Sequence, residues 1–452
     1  MTTAAATREI PTLPGVSAAQ GRREFRTNLL GFLTRAGREG GDICWLPVGS
    51  RRILFLNAPE YIGRVLAEGP EVVEKPSAGG AARTMVIGNG LITSDGAFHQ
   101  RQRRLCAPAF APRRIAAYDG LIAEAVERAA AGWSQGAELD LGGEVSRLTL
   151  DIAGRALFGA DLLSEAEDLR GALLAARQFV QDQAAARLRV PLGWPAPRNL
   201  RFRAAVTRLD ATIYRLIEER RSSPSGRPDL LSLLLAAQAE EFGAGMTPKQ
   251  VRDEAVNLFW AGHEPTAIAL TAALYYLAQH ATAYARVREE AGRVLGERAP
   301  TASDMPALAY TGQVFKEVLR LCPPIFAFGR RLRQPLEVGG YELPAGTDLM
   351  ISPYALHRRP AVFPDPEAFD AGRFSPEDEA GRHRLDYLPF GLGPRVCIGS
   401  YFATLTATLA LAILARRVTF ELLPGPRPTA ESIVAQPGKD RIRVVVGQIF
   451  GS

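Results

Sequence analysis

One cysteine of this chain stands where a sulfur could bind a metal ion. The stretch YLPFGLGPRVCIGS (residues 387–400) places Cys397 among glycines and directly before a long apolar segment with helical spacing. A cysteine at a helix N-terminus faces the positive end of the helix dipole and free backbone N–H groups, and both favour the thiolate. Gly393 and Gly399 lack a Cβ, so a bulky group can approach the backbone. Together with the charge of Arg395, these features indicate a site for a soft metal held by one sulfur.

A second segment carries an acid and a proline where a buried helix is predicted. Residues 261–269 read AGHEPTAIA and lie inside the apolar run AVNLFWAGHEPTAIALTAALYYLA. Ala261 and Gly262 leave room beside the helix, and Glu264 is a group that can carry protons. Pro265 costs roughly 3 kcal/mol in a helix interior and removes one backbone hydrogen bond. An acid and a break at the centre of one helix indicate a catalytic element.

Helices must supply most of the framework that positions these two segments. Apolar residues recur at three-to-four spacing in 59–68, 114–133, 203–221, 229–241, 281–297 and 401–417. Strand patterns are short and lie near the two ends, in 51–57, 336–352 and 441–447. We therefore expect a mainly α fold with a small, split β portion in which the early and late strands meet. That pairing would make residues 1–452 a single domain, with 1–40 as a lead-in to a catalytic body at 41–452.

Composition excludes several other classes of protein. The four cysteines, Cys44, Cys106, Cys322 and Cys397, are widely spaced, which argues against a disulfide framework or a zinc ribbon and favours a reducing cytoplasm. Neither a signal peptide nor an uncharged apolar stretch of membrane-spanning length is visible, so no membrane anchor is expected. The formal net charge is +6, with arginines clustered between residues 100 and 114. No nucleic-acid motif accompanies them, so the cluster is either a docking face for an acidic protein or a plain solvated surface.

The loop around Cys397 resembles the haem-binding loop of the cytochrome P450 family, the haem-thiolate monooxygenases. Phe390, Gly393, Arg395, Cys397 and Gly399 match that loop position for position. Taken alone, the cysteine could be a small buried hydrophobe, but the other four residues in register favour the resemblance. The resemblance implies haem b (iron protoporphyrin IX) as cofactor, Cys397 as its axial iron ligand and Arg395 as a partner of a haem propionate.

Further motifs follow in the order that the family has them, so the resemblance covers roughly residues 46–446. KEVLRLCPP places Glu317 and Arg320 three residues apart on one helical face, and FDAGRF supplies Arg373. By the resemblance these three form the family's Glu–Arg–Arg structural triad. The alternative for Glu317 and Arg320 is a surface ion pair.

Other basic side chains match positions that contact the haem propionates. His99 stands where many relatives have tryptophan, and Arg103 follows four residues later on the same helical face. Both could reach one propionate, or both could be surface residues. Arg330 matches a second propionate ligand, but Arg331 is adjacent and the sequence leaves the choice between them open.

The family's oxygen-facing helix has a small residue, a glycine, any residue, an acid and then a threonine. Here Ala261, Gly262 and Glu264 fit, but Pro265 replaces the threonine whose hydroxyl assists proton delivery. Thr266 could take over only if the helix unwinds locally, because one helical step rotates it by about 100°. A water or a substrate hydroxyl could supply the proton instead, Pro265 could merely fix a bend, or the chemistry could be altered. Glu264 would repel the substrate carboxylate of peroxide-driven fatty-acid relatives, which also have proline here, so that reading is disfavoured.

By the resemblance, the pocket is lined by the segment 86–93, the region around Phe179, and residues of the oxygen-facing helix and of two later segments. The pocket residues from that helix and from the two later segments include these apolar side chains: Leu258, Ile325, Phe326, Ala327, Phe328, Ile433 and Val434. An apolar small-molecule substrate is therefore expected, such as a terpenoid, polyketide, steroid or fatty acyl group.

The resemblance implies a cytoplasmic monooxygenase that receives electrons from a separate ferredoxin or flavodoxin. The arginines between 100 and 114 could belong to the docking face. Two alternatives remain open: a P450-type enzyme that performs oxidative coupling, cyclisation or peroxide-driven oxidation, and a haem-binding protein without oxygenase activity.

Overall fold

Helices form at each segment where the apolar spacing predicts them. The computed structural model describes residues 8–76, 84, 87–159, 171, 172, 175, 179, 194–222, 229–240, 246–435 and 441–450, without the side chains of 236–240. The first helices are α1 (Ala18–Thr27), α2 (Leu29–Glu39), α3 (Pro59–Leu66), α4 (Gly96–Cys106), α5 (Pro112–Ala116), α6 (Asp119–Ala131), α7 (Leu141–Phe158) and α8 (Pro197–Ser222). They are followed by α9 (Leu230–Glu240), α10 (Pro248–Gln279), α11 (Ala281–Leu295), α12 (Ala309–Leu321), α13 (Pro353–Leu356), α14 (Pro376–Ala380), α15 (Ser400–Arg417) and α16 (Ala430–Ala435). The segment predicted as one helix over 114–133 is two helices, since a turn at 117–118 separates α5 from α6.

Strands occupy a minor part of the described chain. They are β1 (Ile43–Val48), β2 (Arg51–Leu56), β3 (Val73–Glu74), β4 (Glu138–Asp140), β5 (Phe328–Leu332), β6 (Leu336–Val338), β7 (Tyr341–Leu343), β8 (Asp348–Ile351), β9 (Val418–Leu422) and β10 (Arg443–Ile449). One sheet has the order β1-β2-β8-β5-β3, another has β4-β10-β9, and β6 pairs with β7. The mainly α fold with a small, split β portion is thus confirmed.

Early and late strands meet in the first sheet, as expected. β2 pairs in parallel with β8, with Leu54 opposite Leu349. The expectation is wrong for 441–447, because β10 pairs with β9 and with β4 rather than with an early strand. The physical reason is proximity along the chain: β9 directly follows α15, which brings it to the same edge as the C-terminal segment.

The segment before residue 40 is part of the packed body. Leu30, Phe32, Leu33 and Ala36 of α2 are buried, and the last three pack with residues of β1 and β2. The lead-in expected over 1–40 therefore contains core residues in its described part, from residue 8 onward.

Helix α10 crosses the middle of the helical core. It packs against α7, α12 and α15, and almost all of its residues from Ala267 to Leu277 are buried. Its N-terminus is closed by a capping box in which the Thr247 hydroxyl accepts from Gln250 N–H and the Gln250 side chain accepts from Thr247 N–H. This long, capped and buried helix is a rigid support for the side chains at its centre.

Candidate active site

Proline does not interrupt α10. The helix runs unbroken from Pro248 to Gln279 with Pro265 in its interior. The local unwinding that would bring Thr266 into the expected threonine position is therefore not observed. The Thr266 hydroxyl instead donates to the Gly262 carbonyl at 2.9 Å, and its side chain is buried. Packing on both sides holds the helix together although the carbonyl of Ala261 loses its usual N–H donor.

The centre of α10 presents an open face. Ala261 is exposed, and Trp260, Gly262, Glu264 and Pro265 are partly exposed, whereas residues 251–259 before them and 266–275 after them are buried. A Cβ added to Gly262 would meet no atom of another element or of the side chains within 4 Å. This short accessible stretch in a long buried helix leaves room for a ligand to lie against small side chains and an acid.

His263 belongs to the opposite, packed side of α10. It is buried, its ring stacks near Phe259, and its Nδ1 lies 3.0 Å from the Thr149 hydroxyl of α7. The residue between Gly262 and Glu264 thus ties α10 to α7 and does not belong to the accessible stretch.

Cys397 differs from the other cysteines in accessibility. Cys44, Cys106 and Cys322 are buried, whereas the Cys397 side chain is exposed, three residues before α15 begins at Ser400. Burial by the surrounding protein nevertheless raises the pKa of its thiol, while the Gly399 N–H and the charge of Arg103 act in the opposite direction. The Cys397 side chain is accessible to water, yet the surrounding protein still desolvates it, so it lies in a recess of the surface. The helix N-terminus is predicted to favour the thiolate. In the structure, the Gly399 N–H does act in that direction, but the burial that favours the neutral thiol is the stronger effect.

Glycine is required at one of the two predicted positions beside the cysteine. Gly393 has a φ of 73° and a Cβ there would lie 1.9 Å from the Leu66 carbonyl oxygen. Gly399 caps α15, and a Cβ there would make only an ordinary contact with Phe110 at 3.8 Å. Phe390 closes the loop, because its carbonyl accepts from the Cys397 N–H at 2.9 Å.

A cluster of basic side chains lies beside this loop. His99, Arg330 and Arg395 line one small cavity. Arg103 reaches the same loop and donates to the Val396 carbonyl at 2.8 Å. Burial, followed by the charges of Arg395, Lys75 and Arg103, lowers the pKa of His99 to about 4, so this side chain is neutral and acts as a hydrogen-bonding group. Such a cluster suits an anionic group that brings its own negative charge.

The structure separates Arg330 from Arg331. Arg330 points into the cluster, where burial, followed by the charge of Arg395, lowers its pKa to about 10. Arg331 lies on the other side of β5 and pairs with Asp348 at 3.4 Å. Neighbours in a strand point to opposite faces, so only one of the two can face the recess.

Two residues of the cluster carry signals that the sequence analysis overlooked. Asp95 caps α4, accepts from Lys75 N–H at 2.6 Å and pairs with Arg395. Lys75 donates to the Leu91, Ile92 and Ser94 carbonyls. The aspartate before Gly96 is a recognisable N-cap, but nothing local to the sequence indicates that Arg395 comes to it from 300 residues away.

The predicted Glu–Arg–Arg group is brought together away from the recess. Glu317 and Arg320 are fully buried and bonded at 2.7 and 2.8 Å, and Arg373 lies 3.7 Å from the same carboxylate. Arg320 also donates to the His357, Pro366 and Ala368 carbonyls. The group therefore ties α12 to the segment before the Cys397 loop, and a surface ion pair is excluded.

The predicted pocket residues do not all lie on one surface. Leu258, Ile433 and Val434 are buried in the core, whereas Ile325 is exposed. Phe326, Ala327 and Phe328 are partly buried and each packs against a different core cluster. Phe179 stacks on Phe202 of α8 at 3.9 Å, and residues 160–170, most of 173–193, and residue 86 lie outside the described residues.

A sequence model of the family described as Cytochrome P450 matches residues 11–444 of this chain. The chain belongs to the cytochrome P450 family. It is therefore a P450 oxidoreductase, and the family implies a haem with a thiolate ligand. The residues present fit such a group: one accessible cysteine, a basic cluster beside it and an open face of small residues on α10.

Bacterial P450 enzymes are among the similar proteins. Cyclooctatin synthase of Streptomyces melanosporofaciens is 39% identical over 409 residues, which cover 88% of this chain and 87% of that protein. Cyclooctat-9-en-7-ol 5-monooxygenase of the same organism is 35% identical, covering 85% and 84% of the two chains. Pentalenene oxygenase of Streptomyces avermitilis is 31% identical, covering 89% and 90%.

Two features are absent from the part of the chain that the structure describes. Within it, no helix is both long enough and apolar enough to cross a membrane. No group of three or more His, Cys, Asp or Glu side chains in that part of the chain could hold a metal ion.

Proposed function

We propose that this P450 is a monooxygenase that inserts one oxygen atom from O2 into a polycyclic terpenoid. The observation that carries the proposal is the pairing of one accessible cysteine with an open, acid-bearing stretch of a buried helix. The three similar proteins are named for cyclooctatin, cyclooctat-9-en-7-ol and pentalenene, which are cyclic terpenoid compounds. Terpenoid is therefore favoured over polyketide, steroid or fatty acyl group.

Haem b is the cofactor that the site would hold. Cys397 would ligate the iron, and His99, Arg103, Arg330 and Arg395 would bind the propionates with hydrogen bonds and charge. None of the four cysteines belongs to a CxxC pair, so the covalent attachment used by c-type haems is not available. When bound, the haem supplies the activation of dioxygen, and the protein supplies ligation, access and proton delivery.

The protein's own part in the reaction centres on α10. Ala261 and Gly262 would leave space for the substrate, and the partly exposed Glu264 would bring protons from solvent toward that space. Thr266 is held by the Gly262 carbonyl, so we favour an ordered water or a substrate hydroxyl as the group that replaces the missing hydroxyl at Pro265. Pro265 also supports a second candidate function, in which the enzyme performs oxidative coupling or uses peroxide.

A separate ferredoxin or flavodoxin would supply the electrons. Arg104, Arg113 and Arg114 are exposed on α4 and α5. The same region touches the Cys397 loop through Arg103 and Phe110. A basic surface next to the iron ligand suits an acidic electron carrier, because opposite charge speeds association and a short path speeds electron transfer.

The iron ligand is tested by the absorption spectrum of the reduced protein with carbon monoxide. Cys397→Ala should abolish the band that thiolate-ligated haem gives, whereas the matched variant Cys322→Ala should keep it. A Cys397→Ala protein that retains the band would overturn the ligand assignment. Spin-state titration with cyclic terpene alcohols and hydrocarbons then tests the substrate class, since no shift with any of them would contradict it.

Electron supply separates the two readings of Pro265. Product should form with NAD(P)H, ferredoxin and ferredoxin reductase, and hydrogen peroxide alone should give little. Equal product yield with hydrogen peroxide alone would favour the altered chemistry.

A further inference from the structure

Three hydrogen bonds from main-chain N–H groups hold the loop of residues 87–94 against α10. Asn89 N–H donates to Asp253 at 2.9 Å, Leu91 N–H donates to Glu254 at 3.1 Å, and Ile92 N–H donates to Asn257 at 2.9 Å. The Asn257 amide also donates to the Ile87 carbonyl at 2.5 Å. Asp253, Glu254 and Asn257 are all buried, so these bonds are shielded from competing water.

Two glycines allow this close approach. Gly88 has a φ of 70°, and a Cβ there would lie 2.0 Å from the Asp253 carboxylate. A Cβ on Gly90 would lie 2.5 Å from the Asn257 side chain. Gly88 and Gly90 therefore leave the space that the side chains of Asp253 and Asn257 occupy, and a larger residue at either glycine would clash with them.

The other side of the loop is held as well. Lys75 donates to the carbonyls of Leu91, Ile92 and Ser94. Within the loop, Ser94 N–H donates to the Gly90 carbonyl at 2.8 Å. Side chains from two flanking segments therefore fix the main chain of a segment that has no regular structure of its own.

The bonds place the loop next to the open face of α10. Glu254, Leu258, Ala261 and Pro265 lie within about 60° of one another around the helix, and Glu254 is about 10 Å from Ala261 along its axis. The side chains of Leu91 and Ile92 pack against the core cluster that contains Leu258. The loop thus ends the open face on its N-terminal side, at a distance comparable with the length of a polycyclic substrate.

By the resemblance, the segment 86–93 lines the substrate pocket, so the main chain at 87–94 forms one wall of it. We propose that Asp253, Glu254 and Asn257 are the positioning residues that hold this wall in place. The wall sets the largest substrate that fits between Leu91 and the haem. This inference rests on the proposed function, because it concerns the same pocket. It goes further by assigning size selection to three side chains that do not touch the reacting atoms.

The test combines amide exchange with ligand size. Glu254→Leu and Asn257→Ala should raise hydrogen–deuterium exchange in peptides covering 87–94 at least tenfold. They should also tighten binding of the bulky azole clotrimazole relative to imidazole at least tenfold, measured by the haem absorption shift. Glu254→Gln keeps an acceptor for Leu91 N–H and should behave like the wild type. Lys249→Ala, which removes only an exposed partner of Asp253 on the same helix, is the matched control.

Three different results would each contradict a different claim: that the side chains hold the loop, that the loop selects substrate size, or that the protein binds haem. Unchanged exchange in 87–94 would show that the three side chains do not hold the loop and would overturn the inference. Faster exchange with an unchanged clotrimazole-to-imidazole ratio would overturn its size-selecting role. A wild type that gives no absorption shift with imidazole would contradict the haem site instead, while the exchange data would still decide what holds the loop.

Discussion

At the scale of single residues, residues of the same amino-acid type differ sharply in their surroundings. Three of the four cysteines are buried, and Cys397 is exposed. Arg330 and Arg331 are neighbours in β5, yet one joins the basic cluster and the other pairs with Asp348. Accessibility and partners therefore decide which residue of a pair can act on a ligand.

Arg330→Ala should weaken haem retention, whereas Arg331→Ala should not. Loss of one charged hydrogen-bond donor to a propionate costs roughly 1.5 to 3 kcal/mol, which corresponds to about tenfold or more in the rate of haem loss. The rate is measured by transfer of haem to an excess of apomyoglobin. Equal rates for the two variants would contradict the assignment of Arg330 to the cofactor.

Pro265→Thr should leave the coupling of NAD(P)H use to product unchanged or lower it. The packed helix already tolerates proline, and a new hydroxyl would compete with the water or substrate group that we propose in its place. The same variant should raise the thermal midpoint, because it restores an N–H donor for the Ala261 carbonyl.

Thr266→Val is the companion variant for the proton route. It removes a hydroxyl that donates to the Gly262 carbonyl, so we expect little change in coupling. A large loss of coupling in Thr266→Val, or a clear gain in Pro265→Thr, would show that a helix hydroxyl does serve the reaction.

At the scale of elements, α10 does several tasks with different parts of its length. Its capped N-terminal half carries Asp253, Glu254 and Asn257 against the 87–94 loop, its centre carries the open face, and its C-terminal half is core. One continuous helix keeps these parts at fixed spacing, which a hinge at Pro265 would not.

Glu254 should make the stability of this region depend on pH. Burial raises its pKa to about 7; the Leu91 N–H opposes this, Asp253 adds to it, and the more distant Lys75 opposes it weakly. The nearby Cys106 thiol is buried and does not compensate the charge. The folded protein therefore binds a proton that the unfolded chain releases, so stability should fall as pH rises from about 5 to about 7, by up to about 3 kcal/mol, and change little above.

Urea unfolding across that pH range measures the effect. Glu254→Gln should flatten the decline relative to the wild type, since its side chain does not titrate. An unchanged pH dependence in Glu254→Gln would show that other groups cause the decline.

At the scale of the whole molecule, two basic regions serve different purposes. The partly buried cluster of His99, Arg330 and Arg395 lines a small cavity, and Arg104, Arg113 and Arg114 are exposed to solvent. The net charge of +6 is thus partly explained by a cofactor site and partly by the docking surface that we propose.

Charge reversal tests that docking surface. Arg104→Glu and Arg113→Glu should each raise the KM for ferredoxin about two- to fivefold at low salt, because one exposed charge pair contributes up to about 1 kcal/mol. The effect should shrink as salt screens the charges. The exposed Arg23 of α1 supplies the control, since Arg23→Glu should leave this KM unchanged, and an equal effect there would point to net charge alone.

The sequence by itself determined what depends on neighbouring residues. Helical periodicity located α8, α10 and α15, and five residues in register within 390–399 carry the resemblance to the haem-binding loop of the family. Such signals survive because a helix and a short loop are specified within one or two turns of chain.

Only the tertiary structure decided what depends on residues far apart in the chain. The choice of Arg330, the pairing of Asp95 with Arg395, the burial of Ile433 and the attachment of 87–92 to Asp253, Glu254 and Asn257 all join segments separated by many residues. The continuity of α10 through Pro265 is of the same kind. Proline disfavours a helix locally, and packing against α7, α12 and α15 outweighs that cost.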